Sequence, residues 1–314
     1  MADASWPRGL PQRARRRIRS ISISRLQLLG YSLLVPSFAI ITVILIWPSV
    51  QNIALSFFDF RLPQRHHMVF VGFDNYIRLL FEDRLFHRAF INTSIFVVGS
   101  VTLQFVLGFA IALALATKSH WFRRITGPIF TLPYMISPAV VGLTWRLMWH
   151  YNLGLINGAL SWVGLEPVRW LSTPELALFA VIITEVWRNT PFMTIILVAG
   201  LISLPVEPYE SATIDGASAW QRFKWITMPF LIPTITVGLL LQTVFAIRVF
   251  GIIFTLTGGG PGNATLPLGI LLYRQTFRYF QGGYSAALAI VMLVVGLVVS
   301  FGYLSLLKKG GETT

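Results

Sequence analysis

The sequence contains no cysteine and few charged residues. Because cysteine is absent from all 314 positions, a disulfide framework and a thiolate metal site are both excluded. Charged residues make up 12% of the chain, whereas ordinary soluble domains carry roughly a quarter. The five histidines form no HxxxH or HExxH spacing, so we predict neither a metal site nor a catalytic residue. None of the lysines follows a glycine, which excludes a Walker A loop.

Apolar residues are abundant and lie in long runs without charge. They make up 55% of the chain, and a helix that crosses a hydrocarbon core needs about 20 such residues in succession. Backbone polar groups in lipid must be satisfied within the segment, which favours helices. We predict an all-α membrane protein with six transmembrane helices, at 28–47, 90–116, 125–149, 176–201, 231–257 and 285–307. Prolines inside these runs should kink helices or mark their ends.

The distribution of basic residues predicts the orientation in the membrane. With the amino terminus inside, the predicted cytoplasmic pieces hold fourteen Lys and Arg residues and the outer pieces hold nine. Seven of the fourteen flank the first span, which usually dominates. We therefore expect cytoplasmic tails at 1–27 and 308–314 around a transmembrane domain at 28–307. The net charge of +13 is explained by this topology, so no nucleic-acid partner is predicted.

The inner loop 203–230 is predicted to form two short helices that meet at a glycine. Pro208 suits the first turn of a helix, and Gly216 can end that helix in the left-handed conformation. Ser218 can cap the next helix. That second helix would carry an apolar face at i, i+3, i+6 spacing, made of Trp220, Phe223 and Ile226. Such a face needs a cover, either a partner protein or the membrane surface.

The same loop contains Glu210-Ser211-Ala212, then Asp215-Gly216-Ala217, then Phe223, Ile226 and Pro229. This pattern resembles the EAA loop of bacterial binding-protein-dependent import permeases. The family pattern is roughly E-A-A-x-x-D-G-A, followed by an aromatic residue, an isoleucine and L-P. This chain departs from it at Ser211 and Met228. The resemblance implies that the element, here called the coupling loop (203–230), docks into a cleft of an ATPase subunit. The residues assigned to this contact are Glu210, Ser211, Ala212, Asp215, Gly216, Ala217, Trp220 and Phe223.

Two further motifs resemble those of sugar permeases within this family. The stretch 71–76 reads V-G-F-D-N-Y and is followed by Asn92-Thr93, similar to the start of the second span in sugar permeases. The stretch 256–261 reads L-T-G-G-G-P and resembles the outer loop of the maltose and glycerol-phosphate type, in the first of its two permease subunits. By this resemblance, the residues that face a solute-binding protein are Thr257, Gly258, Gly259, Gly260 and Pro261.

The resemblance covers nearly the whole chain and carries expectations about fold, function and partners. It implies the type I ABC importer permease fold in the bacterial inner membrane, surrounded by lipid, and alternating access for a sugar, polyol or glycerol-phosphate solute. The expected partners are a second homologous permease subunit, two ATPase subunits and an extracytoplasmic solute-binding protein. This chain would bind no cofactor and would not be an enzyme, because ATP and Mg²⁺ belong to the ATPase subunits.

Two other function classes are left open by the residues alone. An ion-gradient-coupled secondary transporter could use Glu185 or Arg188 for coupling, and it would have inverted repeats with broken helices. A membrane-embedded enzyme would need acidic metal-binding clusters, whereas the twelve acidic residues are scattered.

Ionisable residues at membrane depth are candidates for the solute path. Glu185 and Arg188 are three residues apart, so a direct pair on one helix face is expected. Sugars are recognised by polar groups together with aromatic faces. The residues predicted to line a path on this basis are Tyr134, Trp145, Glu185, Arg188, Asn189, Gln242, Arg248 and Phe250.

Overall fold

The computed structural model describes residues 25–64 and 67–311, and nearly all of its elements are helices. The chain divides into two units, at residues 1–52 and 53–314. In the first unit, α1 (Arg25–Ile41) passes through a π turn into α2 (Trp47–Leu55). The stretch Tyr31–Leu55 is long and apolar enough to cross a membrane and corresponds to the first predicted span.

The second unit begins with a small hairpin and continues as helices. Strand β1 (Phe58–Asp59) pairs antiparallel with β2 (Val69–Phe70), with Phe58 opposite Phe70. The helices that follow are α3 (Asp74–Ile77), α4 (Arg84–Ala116), α5 (His120–Met135), α6 (Pro138–Met148), α7 (Leu155–Trp162), α8 (Pro174–Ile202), α9 (Glu207–Ile214), α10 (Ala219–Arg222), α11 (Met228–Ile247), α12 (Gly251–Leu256), α13 (Leu268–Tyr273) and α14 (Gly282–Gly311). Within the described residues, π turns lie at Thr42–Ile46, Arg78–Glu82, Phe223–Thr227 and Arg274–Arg278.

The number of membrane crossings agrees with the prediction. In the described part of the chain, five helical segments are long and apolar enough to cross a membrane, and the total is six if the bent pair counts as one span. The five segments are Tyr31–Leu55, Arg84–Ala116, Pro174–Ile202, Ala219–Ile247 and Gly282–Leu307.

The centre of the second unit is built by α4, α8 and α11 around a methionine. Met193 of α8 is fully buried, and small residues on the other two helices face it. A Cβ at Gly108 of α4 would lie 3.0 Å from Met193 Cγ, and one at Gly238 of α11 would lie 3.1 Å from its sulfur. Small residues at such contacts let helices approach closely in lipid, where no hydrophobic force holds them together.

The third predicted span, 125–149, is broken in the middle. α5 ends at Met135, α6 begins at Pro138, and the two helices are bent by 92°. Ile136 and Ser137 between them are extended, with ψ of 138° and 135°. Because a proline disfavours the α conformation of the residue before it, Pro138 separates α5 from the helix that it starts itself.

The fifth predicted span, 231–257, has different ends in the structure. Its helix begins at Ala219, inside the coupling loop, and ends at Ile247. Phe250 then leaves the helical conformation, with φ of −142° and ψ of −66°, before α12 starts at Gly251. The apolar composition continues through this change of direction, so composition alone set the end of the span too late.

The two half-helices produced by these breaks, α6 and α12, pack against each other at a glycine. A Cβ at Gly142 would lie 2.7 Å from the backbone oxygen of Ile252 and would overlap the hydroxyl of Thr255. The close approach of α6 to α12 therefore depends on the missing side chain.

We expect Gly142→Ala to lower the free energy of unfolding by about 1–3 kcal/mol, because the added methyl group forces the two half-helices apart. Gly296→Ala in α14 is the matched control, since a Cβ at that position meets open space. Thermal unfolding of the purified protein in detergent measures both variants. Equal stability of the two would contradict the close contact.

Candidate functional site

The first helix of the coupling loop, α9, begins and ends as predicted. Pro208 is in its first turn. Gly216 has φ of +76°, which places it in the left-handed region that favours glycine. The amide of Ala217 donates to the oxygen of Ala212 at 2.9 Å. This is the Schellman ending, in which the amides after a left-handed glycine satisfy the last carbonyls of a helix.

The second helix of the loop is capped as predicted but is not a separate element. The Ser218 hydroxyl accepts the Gln221 amide at 3.3 Å, and the Gln221 side chain accepts the Ser218 amide at 2.7 Å. This reciprocal capping box starts the helix. The helix then runs on from Ala219 to Ile247. The coupling loop is therefore continuous with the fifth span, which the sequence did not indicate.

Two side-chain hydrogen bonds join α9 to the helix that follows it. The hydroxyls of Tyr209 and Thr227 lie 2.8 Å apart. The guanidinium of Arg222 donates to the hydroxyl of Thr213 at 2.7 Å. Because these bonds cross the turn at Gly216, the two helices are held as one angled unit.

The outer surface of this unit combines apolar and acidic side chains. Ile214 is 87% exposed and Trp220 is 68% exposed. Phe223 is half-buried, with its ring stacked on Trp220 and 6.2 Å from that of Phe109 on α4. Of the other residues assigned to the ATPase contact, Glu210, Ser211, Asp215 and Gly216 are exposed, and Ala212 and Ala217 are half-buried. The surface thus offers both charge and apolar area to a partner.

The second candidate site is a cavity of about 330 Å³ at membrane depth. It lies where the break between α5 and α6, the middle of α8 and the break between α11 and α12 come together. Six of the eight residues predicted to line a solute path are found around it: Tyr134, Glu185, Arg188, Asn189, Arg248 and Phe250.

Glu185 and Arg188 are joined through Asn189 instead of the direct pair that their spacing suggests. The Asn189 amide group donates to Glu185 Oε1 at 2.7 Å. Arg188 Nη1 donates to Asn189 Oδ1 at 3.1 Å. The asparagine side chain, which has both a donor and an acceptor, therefore links the two charges. Arg188 uses Nη1 in this relay, so its Nε and Nη2 can bind other partners.

Arg188 also holds the break between α5 and α6. Its Nε donates to the carbonyl oxygen of Ile136 at 3.3 Å, and its guanidinium lies 5.5 Å from the ring centre of Tyr134. A helix break in a membrane frees carbonyl groups that need new donors. Arg188 supplies one such donor, and the Tyr134 ring stabilises its guanidinium by a cation–π contact.

Arg248 is the less constrained arginine of the cavity. It is exposed and lies just after the end of α11. Its Nε makes a long 3.4 Å bond to the oxygen of Val244 on its own helix. Phe250 beside it is fixed, with its ring 5.0 Å from that of Phe254 and 5.3 Å from that of Tyr273. An exposed guanidinium next to packed aromatic rings suits a solute with hydroxyl groups.

The other two predicted residues, Trp145 and Gln242, do not line the cavity. Trp145 is buried, with its ring 5.4 Å from that of Trp187. The buried Gln242 donates through Nε2 to the backbone oxygen of Asn189 at 3.1 Å. Both residues support the helices that form the cavity.

The predicted outer loop around Gly258–Pro261 is folded onto the chain by a side chain that sequence reasoning did not select. Arg274 donates to the oxygen of Gly258 and to the side chain of Asn263, both at 2.8 Å. Gly259 is buried, and the other residues from Thr257 to Pro261 are half-buried. The segment is a fixed turn, and its contact with a binding protein stays a prediction.

The Asn92-Thr93 motif holds the same turn from α4. The Asn92 amide group donates to the oxygens of Asn263 at 2.9 Å and Leu266 at 3.2 Å. The Thr93 hydroxyl accepts the Leu268 amide at 3.0 Å. The sequence motif marked Asn92 and Thr93, but it did not indicate their partners, which lie far along the chain.

We expect Asn189→Leu to lower the free energy of unfolding by about 1–3 kcal/mol, because the Glu185 carboxylate would lose its buried donor. Thr190→Val is the control, since the buried Thr190 hydroxyl bonds only to its own helix at Val186. Chemical unfolding of both variants in detergent gives the comparison. An equal loss in the two would show that the relay contributes nothing specific.

Comparison with known proteins places these sites in a family. Residues 104–309 match the family described as binding-protein-dependent transport system inner membrane component. This range includes the coupling loop and every residue predicted for the solute path.

Relatives of the chain match it over most of their length. It is 40% identical over 276 residues to the trehalose/maltose transport system permease protein MalF of Thermococcus litoralis, covering 87% of this chain and 90% of that protein. It is 31% identical over 284 residues to the sulfoquinovosyl glycerol transport system permease protein SmoG of Agrobacterium fabrum, covering 90% and 91%.

The fold also matches a solved transporter. A chain in the crystal structure of a bacterial alginate ABC transporter, in complex with an alginate pentasaccharide-bound periplasmic protein, aligns with a TM-score of 0.76 at 27% identity. The alignment covers 90% of this chain and 94% of that one. The predicted all-α membrane fold of the type I permeases is confirmed. The chain therefore belongs to the binding-protein-dependent transport system inner membrane component family, as a multi-pass permease subunit of an ABC importer whose ATPase is a separate protein.

Proposed function

We propose that this permease imports a sugar, or a related polyol or glycerol-phosphate solute, by alternating access. The relatives named for trehalose, maltose and sulfoquinovosyl glycerol support a carbohydrate-type solute. The observation that carries the mechanism is the continuity of the coupling loop with the fifth span, from Ala219 to Ile247. Family membership leaves the ion-coupled alternative without support.

The proposed assembly has four kinds of subunit. A second, homologous permease subunit completes the pathway, and two ATPase subunits bind ATP and Mg²⁺. An extracytoplasmic solute-binding protein delivers the solute to the turn at Thr257–Pro261. The related alginate transporter was solved with a periplasmic binding protein attached, which supports this arrangement.

In the proposed orientation, both termini and the coupling loop face the cytoplasm. The excess of basic residues in those pieces supports it. ATP-driven closure of the ATPase subunits pushes on the angled unit formed by α9 and α10. Because α10 continues into α11, the push reaches the cavity beside Arg248 at the far end of the same helix.

The proposed solute path passes through the cavity at membrane depth. Asn189, Glu185 and Arg188 offer both donors and acceptors to hydroxyl groups. Tyr134 and Phe250 offer aromatic faces to the apolar side of a sugar ring. Buried polar groups that bind hydroxyls discriminate strongly against solutes that lack them.

Charge reversal on the coupling loop tests whether this loop binds the ATPase subunits. We expect Asp215→Lys to abolish co-purification of the ATPase subunits while the chain still inserts into the membrane, because the exposed carboxylate lies in the docking surface. Glu166→Lys is the control, an equal charge change at an exposed residue outside the loop. Normal ATPase association and transport with Asp215→Lys would refute the coupling role.

Substitution of Arg248 tests whether this residue lies on the solute path. Because Arg248 makes only a long bond to its own helix, Arg248→Gln should leave the unfolding temperature unchanged. We expect solute uptake by proteoliposomes containing the full importer and its binding protein to fall about tenfold. Arg278→Gln removes another exposed arginine and should have no effect. Unchanged uptake with Arg248→Gln would remove this residue from the path.

A further inference from the structure

A second polar pocket lies outside the cavity and the coupling loop, at the other end of α8 from that loop. We call it the arginine cleft. It has a volume of about 320 Å³, and its walls include Arg146, Trp149, His150, Tyr151, Arg169 and Trp170. Because α8 contains 29 residues, the cleft and the coupling loop are separated by roughly 43 Å of helix. Apart from Thr257, none of its lining residues has a role in the proposed transport cycle.

The cleft is positively charged. Arg146 and Arg169 are both exposed, and the guanidinium of Arg169 lies 5.4 Å from the ring centre of Tyr151. None of its lining residues in the described part of the chain is acidic. Two guanidinium groups without an acid are suited to an anion, and phosphate is one of the groups that their planar forks match.

The walls of the cleft are fixed before any ligand binds. The side chain of Asn157, which is buried, donates to the oxygens of Tyr151 and Val168, each at 3.0 Å. Its Oδ1 accepts the indole N–H of Trp170 at 2.9 Å. His150 accepts the amides of the following turn through Nδ1. Its Nε2 is then the donor nitrogen of the neutral ring.

Exposed apolar side chains lie in the segment beside the cleft, here called its rim, which Asn157 joins to the walls. In the segment beside it, Leu153 is 74% exposed and Trp162 is 92% exposed. Trp149 caps the end of α6, and Trp170 lies in the turn before α8. Aromatic residues near the ends of membrane helices commonly meet lipid headgroups. A free anion would make no use of such a rim, and an acidic protein surface would leave it uncovered. A phospholipid fits both the arginines and the apolar side chains beside them, because it carries a phosphate and acyl chains in one molecule.

We propose that the arginine cleft is a binding site for an anionic phospholipid. Arg146 and Arg169 bind the headgroup phosphate, and the acyl chains cover the exposed apolar side chains of the 153–162 segment. Leu256 and Thr257 also line the cleft. A bound lipid therefore braces the start of the fixed turn at Thr257–Pro261 and makes the stability of that turn depend on the membrane composition.

The test uses the purified full importer in a neutral detergent, with short-chain phosphatidylglycerol as the probe. We expect a saturable rise in the unfolding temperature of the permease with phosphatidylglycerol, and no such rise with phosphatidylcholine of the same chain length. In the Arg146→Gln/Arg169→Gln variant, the apparent Kd for phosphatidylglycerol should increase about tenfold or more. Arg146→Lys/Arg169→Lys keeps the charge and should retain part of the affinity.

Arg84→Gln/Arg88→Gln is the matched control, because it removes two exposed arginines at the start of α4 and should leave the lipid response unchanged. Arg146 is in the last turn of α6, where a cation stabilises a helix, so the readout is the lipid-induced shift and not the starting stability. An unchanged phosphatidylglycerol Kd in the Gln variant, or an equal shift with phosphatidylcholine, would overturn the proposal. An equal shift with inorganic phosphate would also overturn the proposal, because it would indicate a site for free anions. A Gln variant that loses affinity only for the binding protein would overturn it as well.

Discussion

In a lipid solvent, every backbone carbonyl freed by a helix break needs a donor from the protein, and this requirement organises the centre of the permease. The third span breaks at Ile136 and the fifth ends beside Phe250, and both interruptions border one cavity. Arg188 reaches across to the freed oxygen of Ile136. The same breaks provide the half-helices that pack through Gly142. The break at Ile136, the cavity and the buried Glu185 carboxylate are therefore joined through Arg188 and Asn189.

The polar groups around the cavity differ in how firmly they are held. Asn189 fixes Glu185 and Arg188 through its two side-chain bonds, and Gln242 binds its backbone oxygen. These groups keep their geometry without a solute, which reduces the ordering that binding requires. Arg248 has no comparable support. The wall of the cavity thus combines a rigid side on α8 with an adjustable side on α11.

Short-range signals in the sequence were sufficient to predict the helix ends within the coupling loop and the number of candidate membrane crossings. Gly216 and Ser218 act on their immediate neighbours, so their roles follow from local geometry. The end of the fifth span was misplaced because the residues on both sides of Arg248 are apolar, so the apolar run continues past the end of the helix at Ile247. The roles of Asn92 and Arg274 in the outer turn were also missed. Asn92 binds the oxygen of a residue 171 positions away, and no periodicity or local motif encodes such a partner.

The single helix from Ala219 to Ile247 gives the subunit the mechanics of a lever. Its 29 residues correspond to roughly 43 Å. A tilt of about 10° around the end at the coupling loop would sweep the other end through about 7 Å, more than one helical turn. The displacement at the cavity is the product of the helix length and the tilt angle, so a long helix turns a small rotation at the coupling loop into a larger movement at its other end.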